Sequence, residues 1–386
     1  MKVLIAPDSF KGSVSSLEAA ESISHGIKEI DKEAELKIIP IADGGEGTTE
    51  AIIAGTGGEI IKCQAQNPFG KTIDSYYGWI SDNKTAVIEM AAASGIIHLS
   101  NMELNPHKAS TYGTGELIKH CIDKGAKVII IGIGGSATVD GGVGCLNALG
   151  VKFYDDNNAI LDNIGGELGK ISKIDISNMD KRLFEIKIIV ACDVTNPLLG
   201  EKGAIRVFGR QKGVKEEEIE SFENGMEKFA RLSENLTGKY MRNEPGTGAA
   251  GGLGFALKTF LNAEIKNGLE LIAELTELEE HIKNSDLVIT GEGSVDEQSL
   301  SGKVPVGIAN IASKYNVPVV AFAGKISGEA DVFINRGIDL IIPIVDEAMT
   351  LDQAMVNGSE LIYKAAKRFM QTLKLSKVIY KEGEER

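Results

Sequence analysis

Acids, hydroxyls and lysines recur in this chain inside short glycine-rich stretches. Asp8, Ser9, Lys11 and Ser13 lie in Pro7-Asp8-Ser9-Phe10-Lys11-Gly12-Ser13, directly after an apolar run. Asp43 and Glu46 lie in Ala42-Asp43-Gly44-Gly45-Glu46-Gly47-Thr48. Ser136, Thr138 and Asp140 sit among Gly132, Gly134, Gly135, Gly141 and Gly142, and Asp193 sits beside Thr195 and Asn196. Gly248, Gly251 and Gly252 form another cluster, and Glu292, Asp296 and Lys303 share a last one. Backbone N–H groups with a lysine can hold phosphates, and acids can hold a divalent cation or take a hydroxyl proton. That combination is what phosphoryl transfer requires. A phosphate-loop motif is absent, because Ala65 stands where Gly70-Lys71-Thr72 would need its first glycine. Gly132-x-Gly134-x-x-Ala137, with Asp155 and Asp156 about 20 residues on, nearly matches the dinucleotide fingerprint. Val139 to Gly142 should interrupt the helix that fingerprint needs, so an anion or nucleotide loop of another kind fits better. No histidine lies in a glycine-rich loop, which leaves a histidine-based triad without support.

The elements that must position these residues read as strand, loop and helix in alternation. Strands are expected at 2–6 and 36–40, each followed by a polar loop and then a helix (17–30 and 48–54). Segments 58–66, 73–80 and 84–90 are extended and joined by turns, a pattern of antiparallel pairing. Strands are also expected at 128–131 and 185–191. The winding pattern returns with strands at 286–290, 317–323 and 338–344 and a terminal helix at 349–373; a frayed tail is expected from 377. The fold class is therefore α/β. A flavodoxin-like doubly wound domain would be built from both chain ends, 1–66 and 285–386, with a second mixed α/β domain inserted at 67–284. Its polar loops follow strands, so one carboxyl edge should gather Asp8, Lys11, Asp43, Glu46, Glu292 and Asp296, with the site in a cleft between the domains. The plainer alternative for each loop is a capped turn, since Asp and Ser are also common helix caps. For Asp193 it is an Asx-turn before Pro197.

A length of 386 residues points to two domains, and 43% hydrophobic with 25% charged content describes a soluble globular protein. Glycine is in excess, at 45 against nine prolines, as expected of loops that approach a ligand closely. A net charge of -14 argues against nucleic acid and anionic membranes as partners. The four cysteines lack metal-ligand spacing and are expected as free thiols. With no signal peptide or membrane-length apolar run in the sequence, a cytoplasmic location is expected. A homodimer is compatible with the sequence but not specified by it.

Taken together, the stretches resemble the bacterial type-1 glycerate kinase family. The match rests on APDSFKGS (6–13), ADGGEGT (42–48), GTGEL (113–117), IGIGGSAT-x-DGG (131–142), ACDVTNPL (191–198), GTGAAGGLGFAL (246–257) and LVITGEG-x-x-D-x-Q-x-x-x-GK-x-P (287–305), in the family's order. The resemblance implies ATP-dependent phosphorylation of D-glycerate with magnesium, mostly at the 2-hydroxyl, giving 2-phosphoglycerate. It also implies a flavodoxin-like domain carrying a second α/β domain. Val139, Arg210 and Ser294 depart from residues usual in the family, and Arg210 or Lys303 could supply the charge that Ser294 does not. On this footing Gly132, Gly134, Gly135, Ser136, Thr138, Gly248, Gly251 and Gly252 are expected to bind the nucleotide. Asp8, Ser9, Ser13, Arg210 and Lys303 would bind glycerate, and Asp43, Glu46 and Glu292 would hold the metal. Asp193 or Asp296 would position or deprotonate the hydroxyl, and Lys11 would hold the glycerate carboxylate or neutralise the transferring phosphoryl. The alternatives are a glycerate 3-kinase, an NAD-dependent hydroxy-acid dehydrogenase, and a non-catalytic binder of phosphorylated metabolites.

Overall fold

The structure is a computed structural model that describes residues 1–384 apart from 43, 101–103, 163, 296–303 and 328–332. Asp43, Asp296 and Lys303 thus lie outside the described residues. The first strands are β1 (Lys2–Ile5), β2 (Glu35–Ile38), β3 (Glu59–Gln66), β4 (Thr72–Ile80), β5 (Thr85–Glu89) and β6 (Val128–Gly132). They are followed by β7 (Lys152–Tyr154), β8 (Lys173–Asp175), β9 (Lys187–Ala191) and β10 (Glu264–Lys266). The last are β11 (Leu287–Val295), β12 (Val319–Ile326) and β13 (Leu340–Pro343).

Two compact units divide the chain. The first comprises Met1–Asp43, Glu50–Thr56 and Leu269–Arg386, and the second Gly44–Thr49 and Gly57–Gly268. These boundaries differ from 66/67 and 284/285. Strand β3 pairs antiparallel with β4 along its whole length, which ties it to the second unit. At the other end, the helices Gly268–Leu275 and Leu278–Lys283 belong almost wholly to the first unit.

In the first unit a parallel sheet runs β13-β12-β11-β1-β2. Counted within the unit this is the order 2-1-3-4-5 of flavodoxin-like folds, whose direction of winding reverses between β1 and its neighbour β11. The central strands carry apolar runs where both faces are covered, with Val3, Leu4 and Ile5 of β1 and Leu287, Val288 and Ile289 of β11 buried. Val3, Ile5, Ile23, Ile27, Leu287, Ile289, Phe322 and Phe369 share one core. Helix Ser16–Ile30 opens with a Ser15–Glu18 capping box, buries Ala19, Ala20, Ile23 and Ile27, and packs on Gly358–Glu384. Gly26 allows that approach, since a Cβ there would lie 2.6 Å from the Tyr363 carbonyl oxygen. The single terminal helix expected at 349–373 is two, Leu351–Val356 and Gly358–Glu384, with Asn357 capping the first. The second continues past 377, where fraying was expected.

In the second unit the order is β10-β9-β6-β5-β4-β3. Strands β10, β9, β6 and β5 are parallel, and β5, β4 and β3 are antiparallel. The core holds Phe153, Phe229 and Phe255 in edge-to-face contact. Four parallel carboxyl ends therefore lie side by side, closing with Glu89, Gly132, Ala191 and Lys266.

Candidate active site

In the second unit, Gly44–Thr49 docks on that carboxyl edge. Gly134 N donates to Gly44 O at 3.1 Å, and a Cβ on Gly44, which has φ +82°, would lie 2.8 Å from Ala191 O. Thr49 N donates to Glu89 Oε1 at 2.6 Å, and Glu89 is buried. Exposed Glu46 is therefore carried by the second unit, not by the wound domain as the sequence reading had it.

Asp193 is set two residues beyond the end of β9. Because β9 pairs with β10 through Ala191 and Lys266, the loops after them run together. Asp193 Oδ1 accepts from Asn267 Nδ2 at 2.8 Å and from Gly268 N at 2.7 Å. This is a bridge between two strand ends rather than a local turn before Pro197. The carboxylate itself is exposed.

The loop from Gly132 to Gly142 is organised by Asp140, which is 1% exposed. Its Oδ2 accepts from Thr111 N and Thr111 Oγ1 at 2.8 Å and Gly144 N at 3.1 Å, and its Oδ1 from Gly142 N at 3.1 Å. Burial pushes this carboxyl up, against the pull of those donors. The first helix after the loop is Val143–Ala148, so no helix opens directly after Ala137 as a dinucleotide fold would need. Within the loop only Gly134 and Gly135 reach the surface. Ser136 and Thr138 are buried, and among the described residues the Thr138 hydroxyl has no hydrogen-bond partner.

Gly248, Gly251 and Gly252 are buried too, and their missing side chains make room for the chain itself. A Cβ would lie 2.1 Å from Pro197 O at Gly248, 2.0 Å from Thr138 O at Gly251 and 2.9 Å from Gly141 Cα at Gly252. Gly141 N donates to Gly251 O at 2.9 Å, which locks the two glycine loops together. Their spacing in sequence reports loop-to-loop packing, and of the glycines in these two loops Gly134 and Gly135 reach the surface.

Lys212 completes this region and went unassigned in the sequence reading, although it lies two residues past Arg210. It is 3% exposed, and its Nζ donates to Ser136 Oγ and, at 3.1 Å, to Thr138 O. Burial pushes the amine down to about 7, opposed by the Asp140 charge. Between that value and 10.5 the unfolded chain holds a proton that the folded one does not, so stability rises with pH across this window. Lys212→Met lacks the effect. The unfolding free energy of the native protein minus that of the variant, measured in urea, is expected to rise by up to about 1.4 kcal/mol per pH unit from pH 7 to 10. A difference flat with pH would mean the amine titrates as it does in water.

Arg210 is exposed and held bidentately by Glu216, at 2.7 and 2.8 Å. Glu89 and Asn267 were also missed. Glu89 closes an apolar strand, which is the signal that could have found it, whereas Asn267 follows β10, too short to read from sequence.

In the first unit Asp8 and Glu292, both buried, lie at the winding reversal: Asp8 N donates to Gly291 O at 2.8 Å. Glu292 is within β11, not in a loop, because β11 and β12 stay paired as far as Val295 and Ile326. Gly324–Lys325 is likewise in strand. Ser9 N donates to Asp8 Oδ1 at 2.6 Å, Ser13 Oγ donates to Met355 O at 2.5 Å, and Lys11 is exposed. Among the described residues no three or more His, Cys, Asp or Glu side chains cluster in a way that could hold a metal. Cys63, Cys121, Cys145 and Cys192 are free, and no described helix is long and apolar enough to cross a membrane.

The glycerate kinase family model matches residues 3–374. A glycerate kinase of Bacillus subtilis is 43% identical over 98% of this chain and 100% of its own length. A glycerate 2-kinase of Escherichia coli is 44% identical over 97% of this chain and 98% of its own. A crystal structure described as a candidate glycerate kinase 2 from Salmonella typhimurium LT2 superposes with a TM-score of 0.86 at 42% identity, covering 98% of this chain and 99% of that one. With its motifs matched in order from one end to the other, the chain belongs to the glycerate kinase family.

Proposed function

We propose that this kinase transfers the γ-phosphoryl group of ATP to the 2-hydroxyl of D-glycerate, giving 2-phosphoglycerate and ADP. The observation that carries this reading is the full-length similarity to the relative named glycerate 2-kinase. The acid-bearing carboxyl edge of the second unit supports it. Asp193, steered by Asn267 and Gly268, takes the hydroxyl proton as the oxygen attacks phosphorus and ADP departs. Gly134, Gly135 and Ser136 supply donors to anionic oxygens. Lys11 of the first unit, which is exposed, would neutralise phosphate or carboxylate charge, with Asp8 and Ser9 as substrate contacts. Magnesium in kinases is held by one or two carboxylates plus phosphate oxygens, and exposed Glu46 and buried Glu292 are of that donor type, as is Asp43. When bound, the ion would neutralise charge on the phosphoryl group. The cytoplasm is the compartment proposed.

The test is ADP release with D-glycerate, ATP and magnesium, coupled directly through enolase. Immediate enolase turnover is the expected result. Turnover only after phosphoglycerate mutase is added would move the phosphate to the 3-position. No ADP release would overturn the reading.

A further inference from the structure

The glycine loop carries a buried cation, Lys212, whose hydrogen bonds go to Ser136 Oγ and Thr138 O. Lys212 brings its ammonium to the inner side of the loop from a separate segment, Arg210–Lys212, 76 residues on from Ser136. It donates to one side-chain oxygen and one backbone oxygen, both on the loop that Asp140 anchors. A lysine is an expensive way to satisfy a serine and a carbonyl, because burying the charge costs far more than two hydrogen bonds return.

The bonding direction matters. A hydroxyl has one proton and two acceptor lone pairs. When Lys212 is protonated it can only donate, so Ser136 Oγ accepts from it and the serine's own proton is left to point elsewhere. Among the described residues it donates to no partner. The Thr138 hydroxyl, fully buried two residues on, is also unpartnered. Exposed Gly135 precedes Ser136, so the donor lies just beneath the part of the loop that reaches the surface.

We infer that Lys212 is a positioning residue that fixes Ser136 as a hydrogen-bond donor to an anionic oxygen of a substrate, either a nucleotide phosphate or the acceptor's carboxylate. The ammonium beneath the hydroxyl also polarises it toward donation and offsets the incoming charge. Its amine lies close enough to neutrality for the burial to be sustained without a substrate. The identity of the anion rests on the phosphotransfer reading above, but the existence of the donor does not.

The experiment compares Ser136→Ala, Ser136→Thr, Lys212→Met and the Ser136→Ala/Lys212→Met double variant. It measures kcat, KM for ATP and for D-glycerate, calorimetric affinity for ATP alone and for D-glycerate alone, and Tm. Ser136→Ala is expected to lower Tm by only a few degrees, since Lys212 Nζ loses one acceptor and keeps Thr138 O, and to weaken one substrate about ten- to a hundredfold, as loss of a hydrogen bond to a charged group predicts. A rise confined to ATP assigns a phosphate, and one confined to D-glycerate a carboxylate. Ser136→Thr should recover most of the loss. The double variant should be no weaker than Lys212→Met, because both changes remove the same donor. Affinities for both substrates within twofold in Ser136→Ala, or additive losses in the double variant, would overturn the inference. If Lys212→Met does not fold, the Ser136 pair still decides. If the native protein binds ATP or D-glycerate but releases no ADP with D-glycerate, the proposed reaction fails, while the affinities still read this donor.

Discussion

Asp193→Asn is expected to lower kcat by about 10²- to 10⁴-fold, the range that a positioned general base contributes, with little change in Tm. The substitution is chosen for what it keeps. Asn267 Nδ2 and Gly268 N both donate to Oδ1, and an asparagine can present its amide oxygen at the same place. The loops after β9 and β10 therefore stay bridged, and what is lost is the basicity. Because Asn267 Nδ2 and Gly268 N both keep an oxygen acceptor in asparagine, this change is separated from a folding defect. KM values should move less than kcat, since a proton acceptor acts mainly in the transition state. Turnover within tenfold of the native protein would remove Asp193 from the reaction and leave its bridge as its whole role.

What could be read from the sequence was set by local chemistry. Alternation of apolar strands with capped helices is a property of neighbouring residues, so the wound domain and its flavodoxin-like order were legible from both chain ends. Asp193 could be found because it follows an apolar strand, beside Thr195 and Asn196. Asp140 stands in plain view in a glycine-rich run but was given no role. The partners of these residues come from distant segments, and there the sequence is silent. Nothing near Lys212 marks it as the residue beneath Ser136, because that contact depends on how the segment from Ala204 packs on the helices Ile219–Thr237 and Ala249–Leu261. The glycines of 248–254 carry no mark of their role in the sequence. A glycine needed for approach to a ligand and one needed for approach to Thr138 look the same in sequence, and only the neighbouring atoms tell them apart. Glu46 went to the other unit for a similar reason: hydrogen bonds from Gly134 and Thr49 hold its loop there, across large gaps in sequence.

Asp140 should prove the residue on which the second unit's edge depends most for stability. Asp140→Ala leaves Thr111 N, Thr111 Oγ1, Gly142 N and Gly144 N without their acceptor in a site closed to water. Each unsatisfied buried donor costs about 1–3 kcal/mol, partly offset because the buried charge goes too. Lys212 also loses the negative charge that favours its ammonium. A net loss of about 3–5 kcal/mol is expected, the range seen when one partner of a buried charged network is removed. For a unit of this size that corresponds to a fall in Tm of roughly 10 °C. Asp140→Asn is the discriminating control. With its oxygen at the Oδ2 position it retains three of the four donors and turns its amide only on Gly142 N. It should cost about 1–3 kcal/mol, clearly less than alanine. Calorimetry on both variants would show this ordering in the transition that melts the second unit. Equal Tm values for the native protein and Asp140→Ala would mean that the loop holds its shape without the carboxylate. In that case the contacts of Gly251 with Thr138 and Gly252 with Gly141 would be sufficient to keep Ser136 in place.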